Sequence, residues 1–170
     1  MSRESAVLIV VGVVILAFVL MAWGWRRRSR RDAGITAPRG ELPAGAAVSA
    51  SFDGLYVATT GHDQPLERLA IRGLGFRSRA GITVTDAGIA LDLTGQQRIV
   101  LSRDRLVDVD QANVAIDRVV EKDGLTRVSW RTDAGPIVDT YLRPQDASAA
   151  ALTQAIRPIL PTSSALGEEA

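Results

Sequence analysis

Residues Ser5 to Trp25 contain no charged side chain. The run reads SAVLIVVGVVILAFVLMAWGW and is dominated by Val, Leu, Ile and Ala. As a helix its 21 residues cover roughly 30 Å, the hydrocarbon thickness of a bilayer. A helix apolar on every side has no face to offer to water, so its place is in lipid rather than in the alternative, a fully buried core. A cleaved secretory signal fits poorly. The apolar stretch is too long, Trp23-Gly24-Trp25 is a poor small-residue cleavage site, and arginines follow at once. We expect a transmembrane helix over residues 6–25, behind a short tail of residues 1–5.

The flanks set the expected orientation. Arg26, Arg27, Arg28, Arg30 and Arg31 follow the run, whereas the amino-terminal side has Arg3 offset by Glu4. Positive charge stays on the cytoplasmic side, which predicts a single pass of the plasma membrane with the amino terminus outside. Trp23 and Trp25 stand at headgroup level, where an aromatic belt belongs. The arginine run also suits anionic lipid, each side chain adding about 1 kcal/mol near the surface. A nucleic-acid role is not expected for charges pressed against headgroups. The apolar run holds no ionisable group, so it carries no proton relay, and Gly12 and Gly24 do not form a GxxxG pair. It reads as an anchor.

Residues 26–51 read as a basic juxtamembrane segment and a flexible linker. From Asp32 to Ser51, 13 of 20 residues are Ala, Gly, Pro or Ser, and Pro38 and Pro43 block a helix. A flexible chain of that length spans roughly 25 Å end to end.

From Phe52 the pattern changes to period two, the mark of strands with a buried face. Leu55, Val57 and Thr59 alternate with Tyr56 and Ala58. Ile82 and Val84 alternate with Thr83 and Thr85, and Ile89, Leu91 and Leu93 follow the same rule. Thr126, Val128 and Trp130 oppose Arg127 and Arg131, and Ile137, Asp139 and Tyr141 oppose Val138, Thr140 and Leu142. TDAG occurs at Thr85–Gly88 and Thr132–Gly135, with glycine where a tight turn needs a left-handed residue. KDG at Lys122–Gly124 and TGQ at Thr94–Gln96 are further turns. Ser102–Leu106 reads as a helical turn before a strand at Val107–Asp110, and Asn113–Val120 as another strand. Ala149, Leu152, Ile156 and Ile159 recur at helical spacing after Asp146, a suitable N-cap, and Pro158 and Pro161 end the helix. Residues 161–170 read as a disordered tail.

The predicted architecture for residues 52–160 is therefore mainly β. It is an antiparallel barrel or sandwich of about seven strands, capped by a carboxyl-terminal α-helix, as in pleckstrin-homology-like (PH-like) domains. Three stretches sharpen this: FDGLYVATT at Phe52–Thr60, RGLGFRSRAGITVTDAG at Arg72–Gly88 and VDTYLRP at Val138–Pro144. With the apolar helix and its arginine stop, they make the chain resemble actinobacterial single-span membrane proteins with a PH-like domain. The resemblance implies fold and location, and no defined activity. PH domains that bind phosphoinositides carry basic residues after the first strand. The corresponding loop here, Gly61–Pro65, has an acid and no arginine.

No catalytic or cofactor constellation emerges. The chain has no cysteine and one histidine, which removes thiolate sites and His-rich metal sites. His62-Asp63 reads as an exposed loop pair, and the Gly73–Gly75 GLG is too short for a dinucleotide fingerprint. Asp108 and Asp110 read as a solvated strand face. We expect no enzyme, no cofactor and no metal.

Arg68, Arg72, Arg77 and Arg79 form the most informative cluster. If their two runs pair as a hairpin, all four gather on one sheet face, toward an anionic partner. Charge is also segregated: the collar carries +5, while residues 32–170 hold 14 basic and 18 acidic residues, or −4. An acidic domain is repelled by an anionic leaflet. The expected function is thus a membrane-anchored interaction module that binds a membrane or envelope protein. The alternatives are anionic-lipid binding through the arginine face, or an accessory role in an export or transport system.

Overall fold

The computed structural model describes residues 3–32, 34–112, 114–115, 118–119 and 124–161. The predicted tail lies outside the described residues, apart from Pro161. Two units emerge, divided after Gly34.

The first unit is one helix, α1 (Arg3–Asp32), of 30 residues. It continues beyond the apolar run through the whole arginine collar, because arginine is a good helix former and no proline intervenes until Pro38. Ile9–Arg27 has a mean hydropathy of 2.2, apolar and long enough to cross a membrane. Its large side chains, Phe18 among them, are exposed.

The second unit is an antiparallel β-sheet closed by a helix. Its strands are β1 (Val48–Gly61), β2 (Gln64–Arg68), β3 (Ser78–Thr85), β4 (Gly88–Leu93), β5 (Ile99–Ser102), β6 (Leu106–Ala112), β7 (Val114–Ala115), β8 (Arg118–Val119), β9 (Leu125–Arg131) and β10 (Ile137–Pro144). Seven run in the order β5-β4-β3-β1-β10-β9-β6, and β2 pairs with the end of β1. β1 joins the halves: residues up to Tyr56 pair with β3, and residues from Gly54 onward pair with β10. A register shift between Tyr56 and Ala58 bends it there.

The alternation buries one face of nearly every strand. Tyr56, Ile82, Val84, Ile89, Leu91, Val128, Trp130 and Leu142 form one core. The helix α2 (Ala149–Ile156) and the 3-10 turn Arg157–Ile159 close it, with Leu152, Ile156 and Ile159 inward. The N-cap is Ser148, not Asp146: the Ser148 side chain accepts from Ala151 N. Asp146 instead accepts from the Asp53 amide at 2.9 Å, tying the helix entry to β1.

Two other expectations are corrected. The stretch expected as a flexible linker is docked from Ile35 onward. Ala37 is buried, Val100 N donates to Pro38 O at 2.8 Å, Gly40 N donates to Arg98 O, and Arg98 binds Glu41. Proline blocks a helix but keeps its carbonyl, so an extended Pro38 can cover the free edge of β5. The folded unit therefore begins at residue 35, not 52. The strand expected over Asn113–Val120 is instead a pair of two-residue strands, β7 and β8, bonded to each other; Asn113 and Val120 themselves lie outside the described residues.

Candidate functional site

The connection from β2 to β3 builds the site. Its buried residues Leu69, Ile71 and Leu74 anchor it to the core. Leu74 N donates to Ile71 O at 3.0 Å, closing a turn over Ile71–Leu74. Gly73 takes φ +93°, as the third position of a type II turn demands. The Tyr56 hydroxyl lies 2.7 Å from Leu74 O and clamps the turn from below. Arg72, at the second turn position, is thus held outward by a segment pinned at both ends. Phe76 follows with 86% of its surface exposed, then Arg77, and β3 begins at Ser78.

These residues wall a cleft of about 470 Å³ lined by Arg72, Phe76, Arg77, Ser78, Thr94 and Gln96, among others. Thr94 and Gln96 come from the turn after β4. A further guanidinium stands at the rim: Arg39 Nη2 lies 3.8 Å from where a Cβ on Gly73 would stand. Sequence reasoning missed Arg39 because it lies in the segment expected to be a linker.

The cleft is cationic without internal neutralisation. Arg72 and Arg77 have no ion-pair partner among the described residues. Elsewhere Arg98 binds Asp92 at 2.7 Å, Arg105 meets Asp133, and Arg127 lies 3.3 Å from Asp63 and 3.6 Å from Asp108. The Asp92 carboxylate raises the Arg98 pKa further, by hydrogen bonding and by charge. Ser78 Oγ beside the cleft is shielded from water and, like Arg68 Nε, has no hydrogen-bond partner among the described residues. Such a hydroxyl costs about 1–3 kcal/mol until an acceptor reaches it.

The predicted four-arginine face is not formed. β2 pairs with β1 rather than with β3, so the two arginine runs do not make a hairpin. Arg68 is half-buried, and its Nη2 donates to Val57 O at 2.6 Å. Arg79 is exposed on β3, opposite Leu55, and does not line the cleft. Only Arg72 and Arg77 come together.

At the other predicted site, Trp23 and Trp25 are exposed on α1, and the Arg27 guanidinium stands 6.0 Å from the Trp23 ring centroid. Arg26, Arg28, Arg30 and Arg31 are also within the helix.

His62 and Asp63 are exposed on the turn between β1 and β2, as expected, but His62 has a buried partner. Its Nδ1 lies 2.9 Å from Oδ1 of Asp139, which is fully buried on β10. Asp139 also accepts from Ser129 Oγ at 2.6 Å and from the Asp63 amide at 3.0 Å. The buried carboxylate thereby fastens the β1–β2 turn, where Asp63 sits at φ +56°. Donor atoms of His62, Asp63 and Asp139 lie within 4.8 Å of one another. Both Asp139 oxygens are already engaged, so the group reads as a latch. Asp108 and Asp110 are exposed on β6 beside Arg127.

With the geometry in hand, comparisons place the fold. The family described as bacterial PH domain-like matches residues 35–157, the same start as the folded unit. No curated protein matches the chain. A solved structure, the C-terminal domain of an unknown protein from Leishmania infantum, is similar at 12% identity with a TM-score of 0.43. It covers 83% of this chain and 99% of its own.

Proposed function

Starting from the fact that the chain belongs to the bacterial PH domain-like family, we propose that it is a membrane-anchored, non-enzymatic binding module. α1 is the anchor and spans the membrane once, amino terminus outside. The folded unit faces the cytoplasm and takes an anionic group of a membrane-borne partner into the Arg72–Arg77 cleft. One observation carries this reading: two arginines with no ion-pair partner among the described residues flank an exposed phenylalanine, next to a turn that Tyr56 ties to the core. Preorganised cations lose little freedom on binding, so their charge goes into recognition.

The test uses the full-length chain with a photoreactive benzoylphenylalanine in place of Phe76, irradiated in intact membranes. A discrete adduct is expected, absent when the same group replaces Asp133, an exposed residue on a different turn. Identical products from the two positions would contradict the reading.

A further inference from the structure

Building on the cleft as the ligand site, we infer that its occupant is the phosphate of an anionic phospholipid, held between Arg72 and Arg77. The Phe76 ring then enters the interfacial layer. Three features of the site converge on this ligand.

The first is chemical fit. Guanidinium groups match the oxygen geometry of phosphate and form charge-assisted hydrogen bonds to it. Among the described residues, Arg72 and Arg77 carry no carboxylate that a ligand must displace. Ser78, Thr94 and Gln96 line the same cleft, and Thr94 and Gln96 offer polar groups to the ester and glycerol oxygens.

The second is the amphiphilic order of the rim. Phe76 is 86% exposed directly beside Arg77. An aromatic ring in water is unfavourable, whereas cations and aromatic rings side by side suit the boundary of headgroup and acyl chain. The lipid satisfies both groups at once, the phosphate with the arginines and the glycerol and upper acyl region with the ring.

The third is availability. Two residues, Ala33 and Gly34, separate α1 from the folded unit, where a linker of twenty was expected. A short tether raises effective concentration, so even a weak lipid site is filled. The repulsion argument also weakens. Residues 35–161 hold 14 basic and 15 acidic residues, or −1. Asp32, Glu168 and Glu169 supply the other three acidic charges of the earlier count.

The experiment reconstitutes the full-length chain in lipid nanodiscs and follows amide hydrogen exchange over residues 69–78. The discs contain phosphatidylcholine alone or phosphatidylcholine with phosphatidylglycerol. Exchange there is expected to slow by about tenfold in the anionic discs, the protection given by a site occupied at ten times its dissociation constant. The slowing disappears in the Arg72→Gln/Arg77→Gln variant, while exchange in β3 and β4 stays unchanged. Two further arms use phosphatidylcholine discs, one with soluble glycerol phosphate and one with an acidic peptide. Equal slowing by glycerol phosphate would assign the cleft to a free phosphate ester. Slowing by the peptide, with none by phosphatidylglycerol, would assign it to a protein. Either result overturns the lipid, as does lipid-dependent slowing that survives in the double variant. A chain that fails to enter discs defeats the anchored reading itself. One that enters and exchanges identically in both lipids defeats only the phospholipid assignment.

Discussion

Replacing Tyr56 with phenylalanine tests whether the cleft is held rigid from the core. Tyr56 Oη lies 2.7 Å from Leu74 O and 3.0 Å from Thr59 Oγ1. Thr59 Oγ1 lies 2.9 Å from Thr140 Oγ1, which accepts from Trp130 Nε1 at 2.9 Å. A hydroxyl has one proton, and the Leu74 carbonyl can only accept. The chain therefore runs in one direction: Trp130 donates to Thr140, Thr140 to Thr59, Thr59 to Tyr56, and Tyr56 to Leu74. Removing the phenol oxygen leaves the Leu74 carbonyl and the Thr59 proton without partners in a dry site. The cost is about 2 kcal/mol, which lowers Tm by roughly 8 °C for a domain of this size.

The pH dependence separates this loss from a general packing defect. Burial pushes the Tyr56 phenol up from 10.0 to about 12, partly opposed by its Thr59 hydrogen bond and the Arg68 charge. The fold thus favours the neutral phenol. Its contribution is complete below about pH 10 and is lost as pH rises toward about 12, amounting to about 3 kcal/mol. Tyr141, also raised by burial and by the Asp139 charge, acts in both proteins. Urea titrations of the full chain in detergent, from about pH 8 to about pH 12, should show the Tyr56→Phe deficit shrinking through the alkaline range. Equal stability at neutral pH, or parallel alkaline slopes, would refute the reasoning.

Three other outcomes follow from the same structure. Gly88→Ala should destabilise by about 3 kcal/mol or more, because its Cβ would collide with Leu101 O and lie 2.9 Å from Ser102 Cα, at φ +145°; the urea midpoint reads this. Leu152→Ala, at a fully buried position on α2, should cost about 2–5 kcal/mol by the cavity it leaves, with chemical denaturation as the measure. Protease added to intact cells should leave the folded unit uncut, and degradation would reverse the proposed orientation.

Much of the framework was legible because local pattern and tertiary demand agree. The uncharged run could only be a helix with apolar surroundings. Ile82 to Leu93 and Thr126 to Leu142 alternate where one face meets the core. Ala149 to Ile159 carries one apolar stripe because a single helix closes the sheet. The failures have a common cause: each depended on a partner distant in sequence. Residues 35–47 look like a linker until the β5 edge is present to pair with them. Arg68 looks like a neighbour of Arg79 until β2 is seen to pair with β1. Asp139 has the parity of an outward residue. Its burial depends on Ser129 and on the His62-Asp63 turn, which supply its hydrogen bonds. Asp146 and Ser148 are both acceptable caps by composition, and the Asp53 amide decides between them. At the cleft, Arg72 and Arg77 were visible as unusual residues. Their convergence with Arg39, Phe76 and Ser78 required the turn at Gly73 and the docked amino-terminal segment.

The measurement that bears most directly on the central claim is cross-linking at position 76 with and without the cleft arginines. Among the described residues neither arginine has an ion-pair partner to lose, so the Arg72→Gln/Arg77→Gln variant should keep its stability within about 0.5 kcal/mol of the parent. Two charge-assisted hydrogen bonds are removed from the ligand, and adduct yield should fall by about tenfold or more. An unchanged yield from an equally stable double variant would mean that the cleft charge does not bind the partner, and the account would be wrong.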